Sequence, residues 1–315
     1  AISSKIEKLQ IFPWSLMHTQ DRTGLAIILS LIALMLFDGM GLIIKHLSND
    51  YSATELTFWR NLLGLFPTLI ALWSSRTWRT SGKALKIRQW KLALLRGAIV
   101  TFAQLSFYIS LGVMAFATAS TISYSTALFT TAFAIPILGE RVGWVRWSAV
   151  LIGFLGVIMV IQPGAEGFSS YALFPLAAAV FYALVGVTAR LFDDDVASAV
   201  VNLYSSFSSI VIAILITHFW SGFNTIKSAI DMLWIILMGG LGGTAVLLLV
   251  ISYRMTEQSN LAPFSYFGIP LSFILGWLFF NEAPWSTLYP GGILIAAGGL
   301  LIVWRERSQN QSKSS

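Results

Sequence analysis

Apolar residues run through this chain in blocks of about twenty, each separated from the next by a few charged, glycine or proline residues. A block of that length, coiled at about 1.5 Å per residue, crosses a hydrocarbon core ~30 Å thick. A soluble interior has no room for so much apolar side chain. Only 11% of the 315 residues are Asp, Glu, Lys or Arg and 56% are hydrophobic, where a soluble domain carries about 25% charged residues. The chain is therefore expected to be an all-α integral membrane protein.

Ten spans are predicted, at roughly 24–46, 54–73, 90–112, 116–138, 143–162, 169–191, 198–220, 230–253, 259–280 and 285–304. Connectors such as 112–115 and 139–143 are so short that consecutive spans must be antiparallel neighbours. One longer connector, 74–89, holds Arg76, Arg79, Lys83, Lys86 and Arg88. Residues 1–23 and 305–315 read as polar terminal segments, with no cleavable signal peptide in the first, so that span 1 itself targets the chain.

Basic residues fix an expected orientation. With the N-terminus, the connectors after spans 2, 4, 6 and 8 and the C-terminus on one face, that face collects 16 of the 20 lysines and arginines. The other face has only Lys45 and Lys227, while Arg60 and Arg96 lie inside spans. Such a bias places both termini in the cytoplasm of what reads as a bacterial inner-membrane protein. The net charge of +6 is thus explained by membrane orientation and calls for no nucleic acid. The absence of cysteine excludes disulfides, thiolate nucleophiles and cysteine-based metal sites.

The chain also repeats itself. A shift of 142 residues lays spans 3–5 on spans 8–10 without a gap, pairing Gly97 with Gly239, Ser123-Tyr124 with Ser265-Tyr266, Glu140 with Glu282 and Gly156 with Gly298. A shift of 145 pairs Ala33 with Ala178, Gly41 with Gly186, Lys45 with Arg190 and Asp50 with Asp195. Polar residues are rare here, so the Ser-Tyr pairs and the lone glutamates carry the match. The repeats are 24–162 and 169–304, and five spans each is an odd number, which inverts the second copy relative to the first. Inverted repeats are a recurring transporter architecture with the solute site between them near the midplane.

Each half resembles the five-helix EamA-type repeat of the drug/metabolite transporter superfamily. The resemblance rests on Phe58-Trp59-Arg60 in span 2, Ala117-Thr118-Ala119 at the start of span 4, the Gly139-Glu140-Arg141 turn, and Gly153 and Gly156 in span 5. In the second half it rests on Ala262, Tyr266, Pro270, Glu282 and Gly298, so that it covers roughly 24–304. The stretch 146–157 is similar to bacterial riboflavin and S-adenosylmethionine uptake members, without fixing a substrate. The resemblance implies ten helices in two inverted repeats and a secondary transporter. In one departure, Leu128 occupies the place that Pro270 has in the second half, so a proline hinge is expected on one side only.

Asp38, deep in span 1, is the sharpest chemical signal, because an unpaired carboxylate at that depth costs several kcal/mol. It reads either as a buried partner for Arg60 or Arg96 or as a cavity residue for a cationic group or a proton. Helical spacing puts Arg96, Gln104 and Tyr108 on one stripe of span 3. Ser123 and Tyr124 of span 4, Ser265 and Tyr266 of span 9, Tyr182 of span 6 and Trp59 of span 2 complete the expected substrate-binding set. Arg60, Arg96, Glu140, Pro270 and Glu282 are assigned gating or structural roles. The other tryptophans mostly sit near span ends and read as interface anchors.

Two functional classes compete. The first is a secondary transporter for a small amino-acid-like or cofactor-like metabolite, working by alternating access as a monomer or weak dimer, with the proton a candidate coupling ion. No Gly-rich Lys-Ser/Thr phosphate loop is present to couple it to ATP, and no cofactor or resident metal is called for. The second is an intramembrane enzyme acting on a lipid or lipid-linked substrate. That chemistry needs a nucleophile–base pair or a metal cluster, and His18, His46 and His218 all lie near span ends, far apart in sequence. Internal inverted repetition favours the transporter.

Overall fold

A computed structural model describes residues 19–74, 78–79, 82, 85–139, 144–161, 169–192, 196, 198–255, 261, 264, 266–282, 289–298, 300–301 and 304. Among them the regular structure is helical throughout. Six helices are long and apolar enough to cross a membrane: Gly24–Leu47, Trp90–Val113, Phe116–Leu138, Ser170–Thr188, Ala199–Ser221 and Ala229–Leu249. They are spans 1, 3, 4, 6, 7 and 8. Shorter apolar helices occupy span 5 (Val150–Ile161) and span 9 (Gly268–Phe280), and residues 291–298 are helical in span 10. Span 2 is divided into Ala53–Leu63 and Leu65–Ser74. All ten predicted spans thus contain helix.

Large apolar side chains cover the outside. Trp73, Trp144, Phe219 and Trp220 are each at least 80% exposed, and Leu151, Phe207, Leu233 and Leu278 are exposed along span faces. In water that surface would drive aggregation; against acyl chains it is the expected finish of a membrane protein. Inside, the spans meet through small residues and hydroxyls, as helices do where lipid removes any hydrophobic drive to associate.

The helix packing carries the repeat. Span 1 packs most extensively along span 8, and span 6 packs along span 3. These are the same contact, because moving five spans on turns the first pair into the second. Close approaches agree residue by residue. A Cβ placed on Gly97 of span 3 would run into the backbone and side chain of span 7 at Ser205 and Ser208, and one on Gly239 of span 8 would run into Leu63 of span 2. Gly239 stands 142 residues after Gly97, and Ser205 stands 142 residues after Leu63. Spans 5 and 10 meet backbone to backbone, since a Cβ on Gly156 would come within 2.6 Å of the Gly291 carbonyl oxygen.

Spans 4 and 9 are interrupted. Span 4 runs as Phe116–Ser123, turns at residues 124–125, and resumes as Thr126–Leu138. The freed carbonyls are taken up locally: the Ser125 hydroxyl donates to the Ile122 carbonyl at 2.6 Å and the Thr126 hydroxyl to the Ser123 carbonyl at 2.6 Å. Unpaired carbonyls are costly in a membrane, so this local satisfaction is what lets the turn exist there. Span 9 turns at residues 266–267 before Gly268–Phe280 begins. Pro270 sits in the first turn of that helix, where its missing N–H costs nothing. Both spans are therefore interrupted at equivalent places, with Pro270 following the break in span 9 and hydroxyls bonded at the break in span 4.

Candidate substrate site

Several polar groups are buried inside the spans. Asp38 is 7% exposed, and its Oδ2 has no hydrogen-bond partner. Neither arginine proposed for it forms an ion pair with it among the described residues. Asp38 lies roughly 13 Å below the end of its helix at Leu47, and Arg60 roughly 10 Å below the start of span 2 at Ala53, at about 1.5 Å per residue. Both groups thus lie well inside their helices, and no ion pair joins them.

Arg60 is positioned by its surroundings. Its Nη1 donates to the Asn61 side-chain oxygen at 3.0 Å, while its Nε is buried without an acceptor. Glycine at 242 makes room for it: a Cβ there would approach Arg60 Nε to 3.1 Å and crowd the Met40 sulfur of span 1. Asn61 in turn is locked to span 3, giving its amide to Gln104 Oε1 at 2.7 Å and accepting from Gln104 Nε2 at 3.3 Å. Gln104 therefore serves the site as a brace between spans 2 and 3. Asn61, which sequence reasoning passed over, is its partner; the available signal was a second polar residue directly after an arginine within a span.

Tyrosines surround the two charges. Arg60 is within electrostatic reach of Tyr108 and Tyr182, and these two hydroxyls of each other. Asp38 is within reach of Tyr124. The Tyr124 hydroxyl lies directly against Gly268 of span 9, at a point where any side chain would displace it. The hydroxyls of Tyr108, Ser120, Ser123 and Tyr266 are buried and without hydrogen-bond partners. Buried hydroxyls without partners are unusual in a finished core, where nearly all buried polar groups are paired. Trp59 packs at the edge of the apolar cluster that contains Tyr108, Met40 and Phe116. Ser265 lies outside the described residues.

Arg96 is not part of this group. Its Nη1 reaches Asn202 Oδ1 and Ser205 Oγ of span 7, both at 3.4 Å, so it ties spans 3 and 7 together. The predicted stripe of Arg96, Gln104 and Tyr108 is thus divided between two neighbours.

Glu282 links several span ends on one face. It pairs with Lys45 at 2.9 Å and accepts the backbone N–H of Phe116 at 2.8 Å, while Lys45 also donates to the carbonyls of Met114 and Leu111. The ends of spans 1 and 9 are thereby clasped to the connector between spans 3 and 4. Glu140, its counterpart in the first repeat, lies outside the described residues.

Comparison with known proteins agrees with this architecture. Residues 24–162 match the EamA-like transporter family. Over 85% of its length the chain is 25% identical to the S-adenosylmethionine uptake transporter of Rickettsia bellii, covering 90% of that protein. It is 24% identical to the pseudopaline exporter of Pseudomonas aeruginosa over 85% of this chain and 92% of that one. With the riboflavin transporter of Vibrio cholerae it shares 26% identity over 60% of this chain and 63% of that protein. A solved crystal structure superimposes with a TM-score of 0.63 over 90% of this chain and 98% of its own, at 18% identity, which establishes the shared fold. The chain is an integral membrane protein, similar over residues 24–162 to the EamA-like transporter family and over most of its length to proteins named as transporters of small metabolites.

Proposed function

We propose that this chain is a secondary transporter that moves a small organic metabolite, amino-acid-like or cofactor-like, across the bacterial inner membrane by alternating access, with both termini in the cytoplasm. The observation that carries this reading is a set of unpartnered polar groups on spans 1, 3, 4 and 9: Asp38, Tyr108, Ser120, Ser123 and Tyr266 each hold a buried atom with no protein partner. A solute supplies the missing partners while bound and water entering the open site supplies them after release, so the occupied and empty states differ little enough for turnover.

The clasp at Lys45 and Glu282 supports the second element of the reading. In an inverted-repeat carrier the site is reached from one face at a time, and a closed face needs contacts that can break. A half-buried ion pair at the ends of spans 1 and 9 meets that need better than apolar packing, because water restores both charges when it opens. The breaks in spans 4 and 9 supply joints beside the site about which the half-helices turn.

The relatives offer the first solutes to try. Proteoliposomes containing the purified protein are expected to take up radiolabelled S-adenosylmethionine or riboflavin faster than empty liposomes, with Asp38→Asn reduced at least tenfold. Equal uptake by protein-containing and empty liposomes for these and for a broad metabolite mixture contradicts the reading.

A further inference from the structure

The connector between spans 7 and 8 lies across the start of span 2 and touches it repeatedly. Span 7 ends in one wide turn, Thr217–Ser221, closed by the Gly222 N–H on the Thr217 carbonyl at 2.7 Å. Residues 222–228 then run without regular structure to the start of span 8 at Ala229. The Ser221 hydroxyl meets those of Thr54 and Ser52 at 2.7 and 3.1 Å. The Phe223 ring stands edge-on to Phe58, with centroids 5.2 Å apart. Asn224 donates to Glu55 Oε2 at 3.3 Å, and the Lys227 N–H donates to the Tyr51 hydroxyl at 3.0 Å. The Lys227 ammonium pairs with Asp50. Ile226 packs against the apolar cluster that contains Tyr51 and Tyr108, as Trp59 does.

Against this connector lies an acid with no cation to pair it. Glu55 is fully buried, its Oε1 meets no donor at hydrogen-bonding geometry, and among the described residues no ion pair involves it. The Thr217 hydroxyl, in the turn that packs on the same stretch of span 2, is likewise buried without a partner. A permanent core rarely retains such groups, whereas the closed state of a moving part does, since each opening returns them to water. The contacts that hold the connector down are of a kind that water replaces at little cost. The hydroxyl contacts of Ser221 are exposed, and so is the Lys227–Asp50 pair. The connector also begins at a joint. Gly222 has φ 71° and ψ 170°, a conformation open essentially to glycine alone, and nothing lies within 4 Å of where a Cβ would stand.

We infer that residues 222–228 form a lid, hinged at Gly222, that closes over Glu55 and on lifting withdraws Ile226 and admits water toward Trp59 and Tyr108. The lid is a property of the protein alone; its part in admitting a solute rests on the transport reading. Its two apolar contacts, Phe223 on Phe58 and Ile226 on the cluster, set the closed position. Its polar contacts let go without a large penalty, because water takes the place of each partner. Glu55 and Thr217 regain hydration in the open state, which offsets part of the loss of the apolar contacts.

Thiol chemistry on the purified full-length protein tests the lid without any solute, because the chain has no cysteine of its own. Glu55→Cys reports access under the lid, and Thr217→Cys is a second reporter should the first fail to fold. Thr101→Cys, equally buried where span 3 meets Ser209 of span 7, is the control. Each is combined with Asp50→Cys and Lys227→Cys, which a short bifunctional thiosulfonate bridges and a reductant releases. Maleimide labelling of the reporter, located by mass spectrometry, is expected to be measurable in the native protein, to slow roughly tenfold or more under the bridge and to recover on reduction. Ile226→Ser, which removes an apolar anchor, is expected to speed it roughly threefold or more without the bridge. The Thr101→Cys control is expected to respond to neither change. Reporters indifferent to both the bridge and Ile226→Ser, or a control that changes as much as they do, overturn the inference. If the lid responds as expected while proteoliposomes move no metabolite, the inference stands and the transport reading falls.

Discussion

Tyr124 and Tyr266 stand 142 residues apart and mark the same break in two different spans: residues 124–125 interrupt span 4, and residues 266–267 interrupt span 9. Each tyrosine sits beside the candidate site, and the hydroxyl of the first lies against Gly268, the first residue of the helix that follows the second. The two broken helices therefore meet at their breaks. A carrier needs stiff helices to transmit motion and soft points to start it, and this arrangement puts the soft points beside the proposed site.

Gly97 and Gly239 test the repeat as physical structure. Valine at either position places side-chain atoms where Ser205 or Leu63 already sits, and overpacking of that kind costs about 1–3 kcal/mol. Gly97→Val and Gly239→Val should each lower the melting temperature of the purified protein. Gly186→Ala, where nothing lies within 4 Å, should leave it unchanged or raise it slightly. Equal tolerance at all three sites would remove the close approaches on which the symmetry rests.

Lys45 and Glu282 should behave as a coupled pair. Lys45→Gln leaves Glu282 with the Phe116 N–H but without its cation, and a loss of about 1–3 kcal/mol is expected. The exchange Lys45→Glu with Glu282→Lys should recover more than half of it in a double-mutant cycle read by thermal unfolding. Strict additivity of the two single changes would show that the pair is incidental.

The clasped face also carries a group whose pH response has a definite sign. Tyr51 is buried, donates to Asp231 at 2.8 Å and accepts the Lys227 backbone N–H at 3.0 Å. Burial pushes its hydroxyl above the ordinary value of 10.0, and the Asp231 carboxylate adds to this while the Lys227 N–H offsets part of it. The Lys227 ammonium, paired with Asp50, is likewise raised, chiefly by that hydrogen bond. Groups raised in the folded state stabilise it fully below their unfolded values and cease to do so as pH rises through the folded ones. Melting temperature should therefore be flat between about pH 7 and 9 and fall above about pH 10. Tyr51→Phe should flatten part of that fall. A fall that begins near neutrality, or one that Tyr51→Phe leaves untouched, contradicts the assignment.

How much of this was legible beforehand differs by type of contact. Spans and repeat could be read because hydropathy and residue offsets survive in one dimension. The break in span 4 could not, because the search was for proline, whereas Ser125 and Thr126 do the work with hydroxyls that are common in any membrane helix. The Asn61–Gln104 brace needs the register between spans 2 and 3, which no offset within one chain reveals. Arg60 reads from the sequence as a gating or structural residue; its electrostatic reach to Tyr108 and Tyr182 emerges only when the helices are packed. The clasp was half visible. The repeat aligns Lys45 with Arg190 and Glu282 with Glu140, two pairs of complementary sign, but nothing in the alignment brings the end of span 1 to the end of span 9.

The expected orientation is open to direct chemistry, since the chain lacks cysteine. Cysteines at Asn49 and Thr225, both exposed, should react in intact cells with an impermeant maleimide added outside. A cysteine at Lys86, exposed on the opposite face, should react only after lysis. The reversed pattern would place both termini outside.

The central claim is that solute crosses between the repeats only when the Lys45–Glu282 face can open. The most direct measurement is uptake from a complete bacterial metabolite extract into proteoliposomes, read by mass spectrometry of the lumen. The protein would carry Lys45→Cys and Glu282→Cys and be assayed before and after cross-linking with a short bifunctional maleimide. The account predicts that at least one small metabolite accumulates above empty liposomes before cross-linking, and that cross-linking abolishes this while a reducible linker restores it on reduction. A lumen identical to that of empty liposomes, or uptake indifferent to the cross-link, would contradict it.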